Sequence, residues 1–387
     1  MLKKYVRIAH LWLGLISGLL VFIIAITGCL YAFQEEIQDL TDDYRFVKAQ
    51  PGGVLPPSKI QAIAEAALPG KVVHSVQYEE GRSAVVTWYH YEPTYYYLGY
   101  VNPYNGELLH IQDMDEGFFR FILDGHMYLW LPHDAGTLVV RWATIIFSIM
   151  VLSGIILWFP KNRNVWRNRS WFRWKQTTGW KRKNWDMHSI FGFYTCVFAL
   201  IFIITGLVWA MPAFASAYYK IIGGEKSIYY ADAVSAKPAE GVVENAMDKI
   251  FYQTLSAHKV GTVEVHPPET DSSSILMVTN PLVGTYYKSD YRYYNQYTLE
   301  ELEVDHLWGR YLEATNADKI MRLNYDIHVG AILGFPGKVF AFLVSLLIAS
   351  LPVTGTMIYL AKRKKNKKAA VKMQEPAAIR MELAVEA

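Results

Sequence analysis

The sequence predicts an α-helical membrane protein with four transmembrane helices in two tandem repeats of helix, outer α+β module, helix. Three observations carry this expectation. Four stretches, 8–34, 142–160, 187–219 and 339–361, contain no Asp, Glu, Lys or Arg. Each is long enough for a helix rising about 1.5 Å per residue to cross roughly 30 Å of hydrocarbon. The segments between them alternate in charge, and the chain repeats itself in one order. Composition agrees: of 387 residues, 52% are hydrophobic, 19% charged and 15% aromatic, which excludes a disordered chain and suits a membrane interface. A net charge of +3 gives no footprint for nucleic acid.

Taken in order, the chain reads as helix 8–34, outer module 35–135, helix 138–160, basic loop 161–186, helix 187–211, outer module 212–335, helix 337–361 and tail 362–387. The loop 161–186 carries nine Lys or Arg against the single acid Asp186. The tail opens Lys362-Arg363-Lys364-Lys365, and the first turns hold Lys3, Lys4 and Arg7. By contrast, 34–135 holds 15 acids against 6 bases and 212–335 holds 16 against 10. The positive-inside rule places both termini and the basic loop in the cytoplasm. For a bacterial inner membrane the two acidic modules are then periplasmic. The basic start and Ile26-Thr27-Gly28-Cys29 also resemble a lipoprotein signal, but the apolar run exceeds the ~7–15 residues of such a segment, so it is read as a retained helix. Only Cys29 and Cys196 occur, both in apolar runs, which leaves no disulfide framework, zinc knuckle or covalent haem motif.

The repeat singles out side chains. At a shift of 178, His10 meets His188, Gly14 meets Gly192, and Ile26-Thr27-Gly28 meets Ile204-Thr205-Gly206. At a shift of 202, Arg120, Asp124 and His126 meet Arg322, Asp326 and His328; at 201, Ser153-Gly154 meets Thr354-Gly355. The direction of the helices puts His10 and His188 near the cytoplasmic face, and His126 and His328 near the periplasmic one. Ionisable residues beside spans are costly and default to function. Two imidazoles converging across a bundle are the axial set of a six-coordinate haem, non-covalent and b-type here, two in all. Each pair lacks the third and fourth ligands that zinc needs. Gly14 and Gly192, one turn beyond their histidines, leave room for a flat macrocycle or simply let helices pack. Arg-x3-Asp is most economically a helix-surface ion pair; the sharper reading has Arg120 and Arg322 neutralising haem propionates. His133 has no counterpart in the repeat and is a candidate for substrate contact or ligand exchange.

Within the outer modules, Ser58 caps a helix Lys59–Leu68 that Pro69-Gly70 ends, followed by strands Val72–Tyr78, Ala84–Tyr91, Tyr95–Val101 and Leu108–Gln112. The second module reads as helix 241–255 with strands near 260–266, 274–280 and 285–297. Seven tyrosines fall between Tyr89 and Tyr104 and six between Tyr286 and Tyr297, from strand propensity or as an aromatic platform for a bulky substrate.

These elements together resemble the PepSY-associated transmembrane family, whose iron-regulated members include inner-membrane siderophore reductases. The carrying residues are His10-x3-Gly14 with Thr27-Gly28, Asp124-Gly125-His126 before Ser153-Gly154, Trp185-Asp186-Met187-His188 with Thr205-Gly206, and His328 with Gly334-Phe335-Pro336-Gly337 and Thr354-Gly355. The turn Val101-Asn102-Pro103-Tyr104-Asn105-Gly106-Glu107 resembles the PepSY strand-turn signature, with Asn where Asp is usual; the second module fits it poorly. The resemblance implies two periplasmic PepSY-like modules, two b haems on the matching histidines, and reduction of periplasmic ferric complexes such as ferric siderophores. The electron donor would be a quinol or a cytoplasmic reductase, since no dinucleotide fingerprint occurs. The partners expected are thus the lipid bilayer, a ferric chelate and that donor. The competing expectations are a membrane-anchored PepSY-type peptidase regulator without redox activity, which leaves the four histidines unexplained, and a haem or metal permease, for which four helices without further intramembrane charge offer little pathway.

Overall fold

The computed structural model describes residues 2–160, 162–257 and 260–385. The chain runs α1 (Leu2–Tyr31), α2 (Gln34–Thr41), α3 (Pro57–Ala67), β1 (Val73–Glu79), β2 (Ala84–Tyr91), β3 (Thr94–Val101), β4 (Leu108–Asp113), α4 (Phe118–Tyr128), α5 (His133–Trp158), α6 (Arg163–Arg169), α7 (Trp180–Ala210), α8 (Pro212–Ile221), α9 (Ala246–Ala257), β5 (Thr262–His266), β6 (Ser274–Asn280), β7 (Asp290–Asn295), β8 (Glu301–Leu302), α10 (Asn316–His328) and α11 (Gly334–Val385). It divides into a helical unit of Met1–Cys29, Asp124–Gly206 and Phe342–Ala387, and a sheet unit of Leu30–Leu123 and Leu207–Ala341.

In the helical unit, α1, α5, α7 and the stretch Ala331–Asn366 that contains the start of α11 are long and apolar enough to cross a membrane. Their outsides are apolar: Ile16 is 67% exposed and Leu19 69%, with Trp12, Trp142 and Val197 also in the open. Water would penalise such a surface, whereas lipid solvates it. Their insides carry Ser17, Thr27, Thr195 and Thr205, all buried. Each hydroxyl is satisfied within its own helix, donating to Leu13, Ile23, Phe191 and Ile201 carbonyls at 2.7–2.9 Å. The helices outrun the charge-free stretches. Lys3, Lys4 and Arg7 lie within α1, and Lys181, Arg182 and Lys183 within α7. Long basic side chains at helix ends keep their heads in the interface while the backbone stays helical. α5 stops at Trp158, because the residue before Pro160 is disfavoured in helical geometry.

The sheet unit adds what the sequence reading of two modules did not contain. Two four-stranded halves are present, but they form a single antiparallel sheet in the order β4-β3-β2-β1-β5-β6-β7-β8. The seam is β1 on β5, with Val76 opposite Val265 and Tyr78 opposite Val263. A separate four-stranded module would leave β1 and β5 as exposed edges, and pairing them removes both. Above the seam lies one core in which Ile60 and Ala64 of α3 and Ile250 and Phe251 of α9 cover Val76, Val86, Val265 and Met277. Ser58 does not cap α3. Pro57 occupies the first helical turn, which suits its fixed φ, and Ser58 instead donates from its hydroxyl and its amide to Asp248 of α9. α9 begins five residues later than expected because Gly241 and Asn245 have positive φ and cannot be helical. On β3, Gly99 exists for Trp88: a Cβ there would stand 2.5 Å from the indole ring.

The carrier of His328, α10, starts on a capping box. Thr315 accepts from the Asp318 amide while the Asp318 carboxylate accepts from the Thr315 amide. Asp318, 1% exposed, also accepts from the Tyr219 hydroxyl of α8. Burial alone would raise this carboxyl, but the bonds from Tyr219 and Thr315 outweigh it and hold it below the usual range.

Gly99→Val should force the Trp88 ring out of place at a cost of about 1–3 kcal/mol, read as a lower melting temperature of the full chain in detergent. A depressed carboxyl contributes stability that is fully present above its unfolded pKa and lost as pH falls through its folded one. The stability gap between wild type and Asp318→Asn, measured by denaturant titration, therefore closes as the buffer is taken below the carboxylate range and stays open at neutral pH.

Candidate functional site

In the helical unit the four spanning helices converge on two histidines. His10 of α1 and His188 of α7 lie with ring centroids 6.5 Å apart and planes at 82°. Imidazole–metal bonds of about 2.0–2.1 Å, plus the ring radii, would put two imidazoles that shared one metal from opposite sides roughly 6.3 Å apart between centroids. The observed spacing fits a single metal between the rings. Each ring is steadied by a hydroxyl from the next spanning helix of the chain. His10 Nδ1 lies 2.8 Å from Ser153 Oγ on α5, and His188 Nδ1 lies 3.0 Å from Thr354 Oγ1 on α11. The following glycines let the rings lie close: a Cβ on Gly154 would be 3.4 Å from His10 Cε1, and one on Gly355 3.2 Å from His188 Cε1. Asn184, one turn before His188, is 3% exposed and donates from Nδ2 to the Thr354 carbonyl at 3.0 Å. Its Oδ1 is buried with no hydrogen-bond partner among the described residues.

Ser153, Thr354 and Asn184 received no role from the sequence. The signal for two of them was there, since Ser153-Gly154 and Thr354-Gly355 correspond in the repeat. What could not be read was that a hydroxyl so placed reaches the histidine of the preceding span. Gly14 and Gly192 face other side chains. A Cβ on Gly14 would stand 2.8 Å from Met150 Cε, and one on Gly192 3.9 Å from Leu351 Cδ2. Gly14 therefore admits the neighbouring helix α5, whereas a Cβ on Gly192 would stand at ordinary van der Waals distance from α11.

His126, on α4, belongs to the same unit. Its Nδ1 lies 2.9 Å from the Ile24 carbonyl of α1. A carbonyl only accepts, so Nδ1 carries the proton. Gly28 makes this possible, because a Cβ there would fall 2.9 Å from His126 Cε1. His328 ends α10 and is carried by the sheet unit.

In its second copy the Arg-x3-Asp element differs from its expectation as a helix-surface ion pair. Arg322, 4% exposed, donates from Nε and Nη2 to the Leu307 carbonyl, from Nη1 to that of Ser289 and again from Nη2 to that of Gly309. Asp326 accepts the Tyr286 and Tyr287 amides instead of pairing with Arg322. Arg322 thus ties α10 to three loop carbonyls, an occupation that leaves little of its guanidinium for a propionate. Arg120 pairs with Asp115 at 2.9 Å on a half-exposed surface. His133 is largely exposed at the start of α5, beside Asp134 at 3.1 Å and with its ring tilted 51° to that of Tyr128. The tyrosine hairpins divide their side chains: Tyr95 and Tyr100 are buried, whereas Tyr89 and Tyr91 are exposed.

Residues 7–362 match the family described as the PepSY-associated TM region, a match that reaches into all four spanning helices and covers the whole sheet unit. The chain belongs to this family. No curated protein matches it. Membership and the four apolar helices make this PepSY-associated chain a multi-pass membrane protein carrying a separate antiparallel sheet unit. Within it, Gly28→Val should displace the His126 ring from the Ile24 carbonyl while leaving His10 and His188 in place. Histidine side-chain NMR of the full chain checks this: one imidazole environment changes and the inner pair does not.

Proposed function

We propose that this PepSY-associated protein is a di-haem b reductase of the bacterial inner membrane that carries electrons to a periplasmic ferric complex. The observation that carries the reading is the 6.5 Å spacing of His10 and His188 inside a four-helix bundle. The unpartnered Asn184 Oδ1 beside His188 supports an occupant at the same place. His10 and His188 would hold one haem, and His126 and His328, their counterparts in the tandem repeat, are the candidates for the second. When bound, such a group supplies one-electron iron chemistry that no side chain of this protein can perform.

The chain's own contribution is ligation, orientation and exclusion of water. Ser153 and Thr354 hold the inner imidazoles, and the apolar outer faces of α1, α5, α7 and α11 keep the bundle in lipid. The basic loop 161–186 and the two basic ends set the cytoplasmic side, so the sheet unit, read as two joined PepSY-like halves, stands in the periplasm. One electron per ferric ion then crosses from a quinol or cytoplasmic reductase on one side to a ferric siderophore or other ferric chelate on the other. Ferrous iron binds hard oxygen chelators less tightly than ferric iron, so reduction releases the metal.

Purified protein from haem-replete cells should show the sharp reduced α band of bis-imidazole haem, with two haems per chain. His10→Ala should lower that content to about one, and dithionite-reduced protein should be reoxidised by a ferric chelate. A colourless wild-type preparation overturns the reading in favour of a membrane-anchored peptidase regulator.

A further inference from the structure

The inner histidines are held by hydroxyls whose own protons are already committed. Ser153 Oγ donates to the Met150 carbonyl at 2.9 Å. Thr354 Oγ1 donates to the Ser350 and Leu351 carbonyls at 3.0 and 3.1 Å. A hydroxyl has one proton to give and lone pairs to accept with. With that proton directed one turn back along its helix, each oxygen can only accept from the ring beside it. In that arrangement the ring nitrogen that meets it, Nδ1, is the donor, and Nε2 is left with a bare lone pair. The same arrangement appears on two different helix pairs, α1 with α5 and α7 with α11. A second contact fixes the Thr354 side: Asn184 Nδ2 holds the Thr354 carbonyl, so backbone and side chain of this residue are both tied to α7.

We propose that Ser153 and Thr354 are positioning residues that lock His10 and His188 in the Nδ1–H tautomer, so that both present a metal-binding Nε2 to one shared centre and the strength of that ligation is set by the two hydroxyls. The proposal rests on the haem reading above. A ring whose distal N–H is hydrogen-bonded is a more basic ligand, and loss of such an outer partner commonly changes metal affinity 10–100-fold. The more basic ligand favours ferric over ferrous iron. Removing one hydroxyl therefore raises the reduction potential of the inner centre.

The test uses the full-length protein in detergent, with Ser153→Ala and Thr354→Val against the conservative Ser153→Thr and Thr354→Ser. Redox titration followed by visible absorption is expected to show the inner centre of each hydroxyl-less variant shifted upward, by about 59 mV if the ferric preference falls tenfold. The second centre should stay where it is, and the conservative variants should return the wild-type potential. Low-spin ferric electron paramagnetic resonance should change with the same pattern. Should Ser153→Ala or Thr354→Val lose the inner haem outright, recovery of that haem in the conservative variant supports the proposal, and its continued loss there overturns it. Hydroxyl-less variants that keep haem at the wild-type potential overturn it too, leaving the di-haem reading intact. A wild-type protein without haem defeats that underlying reading and the proposal with it.

Discussion

The arrangement of the helical unit depends on two imidazole–hydroxyl hydrogen bonds, His10 to Ser153 and His188 to Thr354. In lipid the hydrophobic effect does not draw one apolar helix to another, since hydrocarbon solvates leucine as well as a neighbouring helix does. Association needs close packing and polar contacts that have no alternative partner. Gly14 provides the first by admitting Met150. The histidines provide the second. The consequence is that each partly buried imidazole finds on the neighbouring helix a hydrogen-bond partner that hydrocarbon could not supply.

The sheet unit solves the opposite problem, in which water competes for every backbone group. Its two halves would each expose an edge, and the β1–β5 seam removes both while letting α3 and α9 share one apolar core. Two charged groups buried in this unit take their partners from the backbone. Arg322 is given over to three carbonyls and Asp326 to two amides. Such an arginine is held as a structural tie, because its planar fork can meet several acceptors at once without a counter-charge.

How much of this could be read in advance follows the range of the interaction. Hydropathy and alternation are local, and they located the strands of the first half to within a residue, and the four spans in place but not in extent, since α1, α5 and α7 begin at Leu2, His133 and Trp180. Helix ends were missed where a local signal was overruled by another local one: Pro57 displaces Ser58 as the starting signal, and Gly241 with Asn245 delays α9. The seam was not legible, because Val76 and Val265 stand far apart in the chain and nothing in either strand names its partner. Nor was the target of Arg322, since the Ser289, Leu307 and Gly309 carbonyls come from loops whose course depends on tertiary packing. The inner histidines were legible through the internal correspondence of the sequence, and the hydroxyls that hold them were visible as a repeated pair without a purpose.

That correspondence is uneven, and the unevenness has a physical reading. Around the inner pair, positions that correspond in sequence also make corresponding contacts. Ser153 and Thr354 hold the rings, Gly154 and Gly355 lie beside them, and Met150 and Leu351 pack on the glycines. Toward the outer side the contacts part company. Arg120 forms a half-exposed ion pair with Asp115, whereas Arg322 is buried among carbonyls. Side chains packed between the two halves of one bundle are constrained from both sides, so a change in either half is felt by the other. Side chains that only tie a helix to nearby loops, as Arg322 does, carry no such coupling.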